Sequence, residues 1–157
     1  MKKFIVVASL VAALSASSMV MAAESYEVSF KNETSKMIYI KRMSLVCMKY
    51  AGSSETYAVV PGATASMALE DSNNIEGDCV NADKEVNWAV AHTAASASFA
   101  NVTFEHHKVD GWRTQIKLYS GAEGSATCNG TPCSNLGAPG VKLTQPSPIK
   151  IFISSTR

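Results

Sequence analysis

Three histidines, four cysteines and a group of acids between residues 70 and 85 are the side chains of this sequence best suited to chemistry. His106 and His107 are adjacent, with His92 upstream. Binding a metal or activating a nucleophile would require such imidazoles to converge with other groups. Neighbouring residues of a strand face opposite ways, so His106 and His107 cannot meet one ion without a bulge. His106 is therefore expected to turn toward the rim of a core, and His107 to face outward opposite Arg113. Residues 120–124, Ser-Gly-Ala-Glu-Gly, do not form the Gly-x-Ser-x-Gly elbow that would present a serine for catalysis.

The cysteines, Cys47, Cys79, Cys128 and Cys133, contain no Cys-x2-Cys pair and have no histidine close in sequence, which speaks against zinc. An even count in an exported chain reads as two disulfides, and four cysteines allow three connectivities. Cys128 with Cys133 and Cys47 with Cys79 are the expected pairs. Asn129-Gly130 and Pro132 supply turn chemistry for the short link. The long link is worth about 3–4 kcal/mol through the entropy of the unfolded chain. Among the acids Glu70, Asp71, Glu76, Asp78, Asp83 and Glu85, the run Asp71-Ser72-Asn73-Asn74 opens like a calcium loop. Ile75 and Glu76 then stand where that motif needs an oxygen ligand and a glycine. Solvated loop charge is the expectation, with no metal and no cofactor.

Trp88 lies in an apolar run and is expected in the core. Trp112 follows a loop at the end of a hairpin, where an indole either caps the core or meets a ligand. With Tyr119, His107 and Arg113 it makes up the expected binding set.

These residues need strands to position them. Residues 112–119 alternate strictly, Trp112, Thr114, Ile116 and Leu118 against Arg113, Gln115, Lys117 and Tyr119. Pairing them with residues 101–108 through a two-residue turn would put Val102 and Phe104 on the polar side. A three-residue loop, Val109-Asp110-Gly111, instead pairs Lys108 with Trp112, His106 with Thr114, Phe104 with Ile116 and Val102 with Leu118. Further alternating runs at 26–30 and 37–41 predict an opening hairpin, and 44–50 a third strand. Residues 56–60 and 63–69 predict another hairpin around Pro61-Gly62, 86–92 a buried strand, and 149–153 a last one. Residues 120–148, rich in Gly, Ser, Pro and Thr, read as a long stapled loop. The expected fold class is all-β, a single antiparallel β-sandwich of about eight or nine short strands.

Residues 1–22 read as a bacterial Sec-type signal peptide. Lys2 and Lys3 precede an apolar stretch, and Val20-Met21-Ala22 or Met21-Ala22-Ala23 offers the cleavage site. The exported domain is then 23–157, a size that suffices for one core. Loss of Lys2 and Lys3 from 14 basic residues leaves 12 against 13 acidic ones. Near balance argues against nucleic acid, which needs a basic excess. No second run of transmembrane length occurs. The expected protein is a non-enzymatic periplasmic or secreted binding protein that recognises a macromolecular partner through loops, such as an inhibitor or immunity-type protein. The alternatives are a toxin or lectin-like module that binds cell-surface lipid or glycan, and a small hydrolase using His106 or His107.

Overall fold

Chain alternation becomes two sheets in the computed structural model, which describes residues 23–50, 56–73, 77–119, 121–134 and 140–156. The expected leader, residues 1–22, lies outside them. The strands are β1 (Ser25–Asn32), β2 (Ile38–Val46), β3 (Met48–Tyr50), β4 (Thr56–Val59), β5 (Thr64–Asp71), β6 (Lys84–Ala91), β7 (Ala100–Lys108), β8 (Trp112–Tyr119), β9 (Ala122–Cys128), β10 (Thr131–Pro132) and β11 (Ile149–Thr156). No helix occurs among the described residues. One sheet runs β10-β9-β11-β1-β5-β3, the other β4-β2-β6-β7-β8.

Every second residue of β1, Tyr26, Val28 and Phe30, is buried, as are Val86, Trp88 and Val90 of β6. These two sets belong to different sheets and meet in one core. The Phe30 and Trp88 rings lie edge to face at 5.2 Å, and Tyr26 meets Phe104 at 5.0 Å. Burying an indole such as Trp88 is worth on the order of 5 kcal/mol before ordering costs.

The β7–β8 hairpin has the expected register, with Lys108 opposite Trp112, His106 opposite Thr114 and Phe104 opposite Ile116. Gly111 takes φ +83°, the left-handed conformation the three-residue loop requires. Both disulfides form as expected, Cys47–Cys79 and Cys128–Cys133.

Other expectations are corrected. Residues 26–30 and 37–41 do not form a hairpin, because β1 and β2 lie in different sheets. The same is true of β4 and β5. Both crossings share one corner, where Asn32 is saturated. Its amide donates to the carbonyls of Lys36 and Val59, each at 2.8 Å, and its Oδ1 accepts from the backbone N–H and hydroxyl of Thr34. The Gly62 N–H donates to Asn32 O at 2.8 Å at the same corner. Residues 44–50 are not one strand either. β2 bulges between Arg42 and Ser44, and the chain then changes sheet at Cys47, whose φ is +48°.

The arrangement is not wholly antiparallel. β11 pairs with β1 in parallel, Val28 opposite Ile149, because the long link after β10 returns the chain to the end of the sheet where β1 begins. The expected loop 120–148 contains β9 and β10, which bring the strands among the described residues to eleven. Asn129 and Gly130, at φ +47° and +79°, make the two-residue turn between them. Residues 120 and 135–139 of that stretch lie outside the described residues.

Candidate functional site

Two groupings of polar side chains stand out, on opposite faces of the β7–β8 hairpin. The first closes one end of the core. His106 is the last inward residue of β7, and its Nδ1 lies 2.9 Å from the hydroxyl of its cross-strand partner Thr114. Its ring stacks on Trp112 at 4.8 Å with 5° between the planes, and tilts against Tyr26 at 5.6 Å. Its Nε2 is 3.9 Å from Glu24 Oε2, which also accepts from the Tyr26 hydroxyl at 3.0 Å. Behind them Asp71, 5% exposed, accepts from the Glu24 N–H at 2.7 Å. Lys84, 1% exposed, donates to the carbonyls of Ser72 and Cys79, and its ammonium lies 5.9 Å from the Trp112 ring centroid.

Burial dominates the electrostatics here, since each charged form loses hydration. It lowers the His106 pKa despite Glu24, raises Asp71 despite the Glu24 N–H, lowers Lys84 despite Asp71, and raises the Tyr26 phenol. A cavity of about 70 Å³ opens beside His106, bounded by Glu24, Tyr26, Trp112, Thr114 and Leu143. Glu24, His106 and Thr114 stand in the order of an acid, a base and a hydroxyl. However, Thr114 is 0% exposed, and the cavity has the scale of a few waters, too small for a substrate. Imidazole and hydroxyl satisfy each other.

The second grouping lies on the face of the five-stranded sheet turned away from the core. There the Glu105 carboxylate accepts from Gln115 Nε2 at 2.6 Å and from Lys117 Nζ at 2.7 Å, with His107 Nδ1 at 3.9 Å. The hydrogen bond to Glu105 raises the Lys117 pKa. Asn87 is held in turn. Its Oδ1 accepts from Thr103 Oγ1 at 2.5 Å, and its amide donates to Ser44 Oγ at 2.9 Å and to Glu85. Two grooves of about 340 and 460 Å³ cross this face, and Glu85 and Glu105 line both. His107, Gln115 and Lys117 line the first; Met43, Asn101 and Tyr119 line the second. The charged heads are thus fastened to the sheet, and the face is an ordered polar surface that can exchange hydrogen bonds without first being arranged.

The expected binding set divides between these places. Trp112 belongs to the end cluster, and His107 to the first outer groove. Arg113 donates to Gly140 O at 3.2 Å and lies 3.6 Å from Asp110 Oδ2, so it fastens the segment at 140–142 along the open edge of β8. Tyr119, 40% exposed, stands at the far end of β8. The acids disperse as well. Glu70 pairs with Lys49 at 3.1 Å, and Asp71 is buried in β5 rather than solvated as expected. Glu85 lines the outer face, while Glu76 lies outside the described residues. Among the described residues no three His, Cys, Asp or Glu side chains are grouped to hold a metal. Likewise no helix among them is long and apolar enough to cross a membrane.

Glu24 and Lys84 are the residues that sequence reasoning missed, while it pairs Thr114 with His106, as the structure has it, but gives Thr114 no role. Lys84 shares its face with Val86, Trp88 and Val90, so period-2 counting extended by one step would have turned it inward. Nothing local marks Glu24. No protein-family model matches this chain, and no curated protein matches it either.

Proposed function

We propose that this chain is an exported β-sandwich, periplasmic or secreted, that acts without catalysis by holding a protein partner on the outer face of its five-stranded sheet. One observation carries the reading. The face bears two adjoining grooves whose charged and amide side chains are already tied to one another through Glu105, Glu85 and Asn87. Pre-ordered polar groups reduce the entropy lost on association, which favours a macromolecular partner that meets many of them together. Met43 at 61% exposure and Tyr119 at 40% add apolar area to the second groove, and methionine and tyrosine are residue types enriched at protein interfaces. The surface differs from the expected one. β9 and β10 take up part of the stretch expected to be a long stapled loop, so the sheet face replaces the loops as the candidate.

A glycan is the second reading, favoured by the exposed Tyr119 ring beside the amides of Asn87 and Asn101. A hydrolase using His106 is disfavoured by the burial of Thr114 and the size of the cavity. The double variant Glu85→Lys, Tyr119→Ala separates the readings. Capture from envelope extracts of one protein that cross-links to β7 or β8, lost in the folded double variant, supports the proposal. Undiminished capture of that protein, or binding confined to polysaccharide, overturns it.

A further inference from the structure

Glu24 is held more closely than a residue at the edge of a leader needs to be. Its N–H donates to Asp71 Oδ1 at 2.7 Å, and its carbonyl accepts from the Asp71 N–H at 2.9 Å. Its carboxylate accepts from Tyr26 and lies 3.9 Å from His106. Asp71 is almost wholly buried, and the ammonium of neighbouring Lys84 is spent on the carbonyls of Ser72 and Cys79. An amide N–H offers such a carboxylate one hydrogen bond from an uncharged donor. An α-ammonium at the same atom would add a full positive charge, so that the hydrogen bond becomes an ion pair with both partners charged. Met21-Ala22-Ala23, immediately before Glu24, carries the small residues of a leader cleavage site.

We propose that the leader is removed between Ala23 and Glu24, and that the α-ammonium released on Glu24 docks on the buried carboxylate of Asp71 as a structural cation. The inference takes the leader expected from the sequence as its premise and is independent of what the outer face binds. In the cleavage the amide C–N bond breaks, water supplies hydroxyl to the Ala23 carbonyl carbon and a proton to the Glu24 nitrogen. The acid proton of the new carboxyl group then passes to the amine, leaving a carboxylate on Ala23 and an ammonium on Glu24. The groups facing that ammonium are Asp71, the Glu24 carboxylate, Tyr26, His106 and Lys84; the two carboxylates favour it and Lys84 opposes it. A chain still carrying its leader has only the amide at this position, so processing completes the charge balance at this end of the core.

Two measurements decide the matter. The full chain is expressed with its leader in a Gram-negative host, and the exported product is sequenced from its N-terminus. Glu24 as first residue is expected; Ala23 or any other first residue overturns the cleavage site. Separately, the chain beginning at Glu24 is compared with the same chain extended by Ala22-Ala23. The extension is expected to lower Tm by about 4 °C, and Asp71→Asn is expected to abolish the difference. Equal Tm values, or a difference that survives Asp71→Asn, overturn the role of the ammonium. If Asp71→Asn does not fold, acylation of the α-amine by an N-hydroxysuccinimide ester at pH 7 replaces it. Acylation at least tenfold slower in the native protein than in urea is expected, and equal rates refute the docking.

Discussion

His106 is a base whose partners all lie inside the fold: Thr114 at one nitrogen, Glu24 near the other, Trp112 across its face. Burial holds its folded pKa below the ordinary 6.5. As pH falls through 6.5, the unfolded chain takes up a proton that the native state refuses, so stability falls with acidity until the lower folded pKa is reached. Asp71 acts in the opposite sense at lower pH. Its raised pKa means that the cost of holding it ionised is relieved as pH falls through that value. Urea unfolding at pH 7 and pH 5.5 is therefore expected to show a loss of stability in the wild type that is smaller in His106→Asn; equal losses would exclude His106 as the source. Trp112→Ala removes the stacked indole. It is expected to cost about 2 kcal/mol and to move the His106 pKa back toward 6.5, which NMR titration of the imidazole measures.

Single backbone positions decide whether elements form. The β7–β8 hairpin was readable because its two strands alternate bulky and polar residues and its loop carries one glycine. Once Phe104 and Val102 must face Ile116 and Leu118, only the three-residue loop remains. β9 gave no such signal. Its sequence, Ala-Glu-Gly-Ser-Ala-Thr-Cys, has no bulky apolar residue, and its register is read from contacts with β11. Gly124 is the clearest of these, since a Cβ there would stand 2.2 Å from Phe152 O, beside the irregularity in the β9–β11 ladder. Gly124→Ala must push the two backbones apart. It is expected to cost about 3 kcal/mol, more than Gly111→Ala, where the strain of positive φ costs about 1 kcal/mol. Thermal denaturation of the two variants checks the order.

At the scale of the whole molecule, the two disulfides differ in what they constrain. Cys47–Cys79 closes a separation of 32 residues and ties the point where the chain changes sheet to the approach of β6. Cys128–Cys133 spans 5 residues within one corner. Chain entropy assigns about 4 kcal/mol to the first and about 2 kcal/mol to the second. Replacing Cys47 and Cys79 by serine is thus expected to lower the denaturation midpoint clearly more than replacing Cys128 and Cys133. Chemical denaturation of both serine pairs tests this, and a larger effect from the short link would show that β9–β10 is the more critical closure.

The sequence by itself determined the all-β class and most of the strands, that the four cysteines form two disulfides, and the register of one hairpin. Each depends on neighbours in the chain, on alternation, on a turn residue with positive φ, or on the parity of cysteines. Only the tertiary structure decided which strands share a sheet, because a crossover and a hairpin present the same alternation on either side of the same kind of turn, as at 33–37 and 60–63. It alone also brought Glu24 to Asp71, 47 residues away, and divided Trp112 from His107 between the core end and the outer face. Such groupings follow from how the sheets stack. Stacking is set by the sum of many buried contacts spread over the chain, and no local pattern carries that sum.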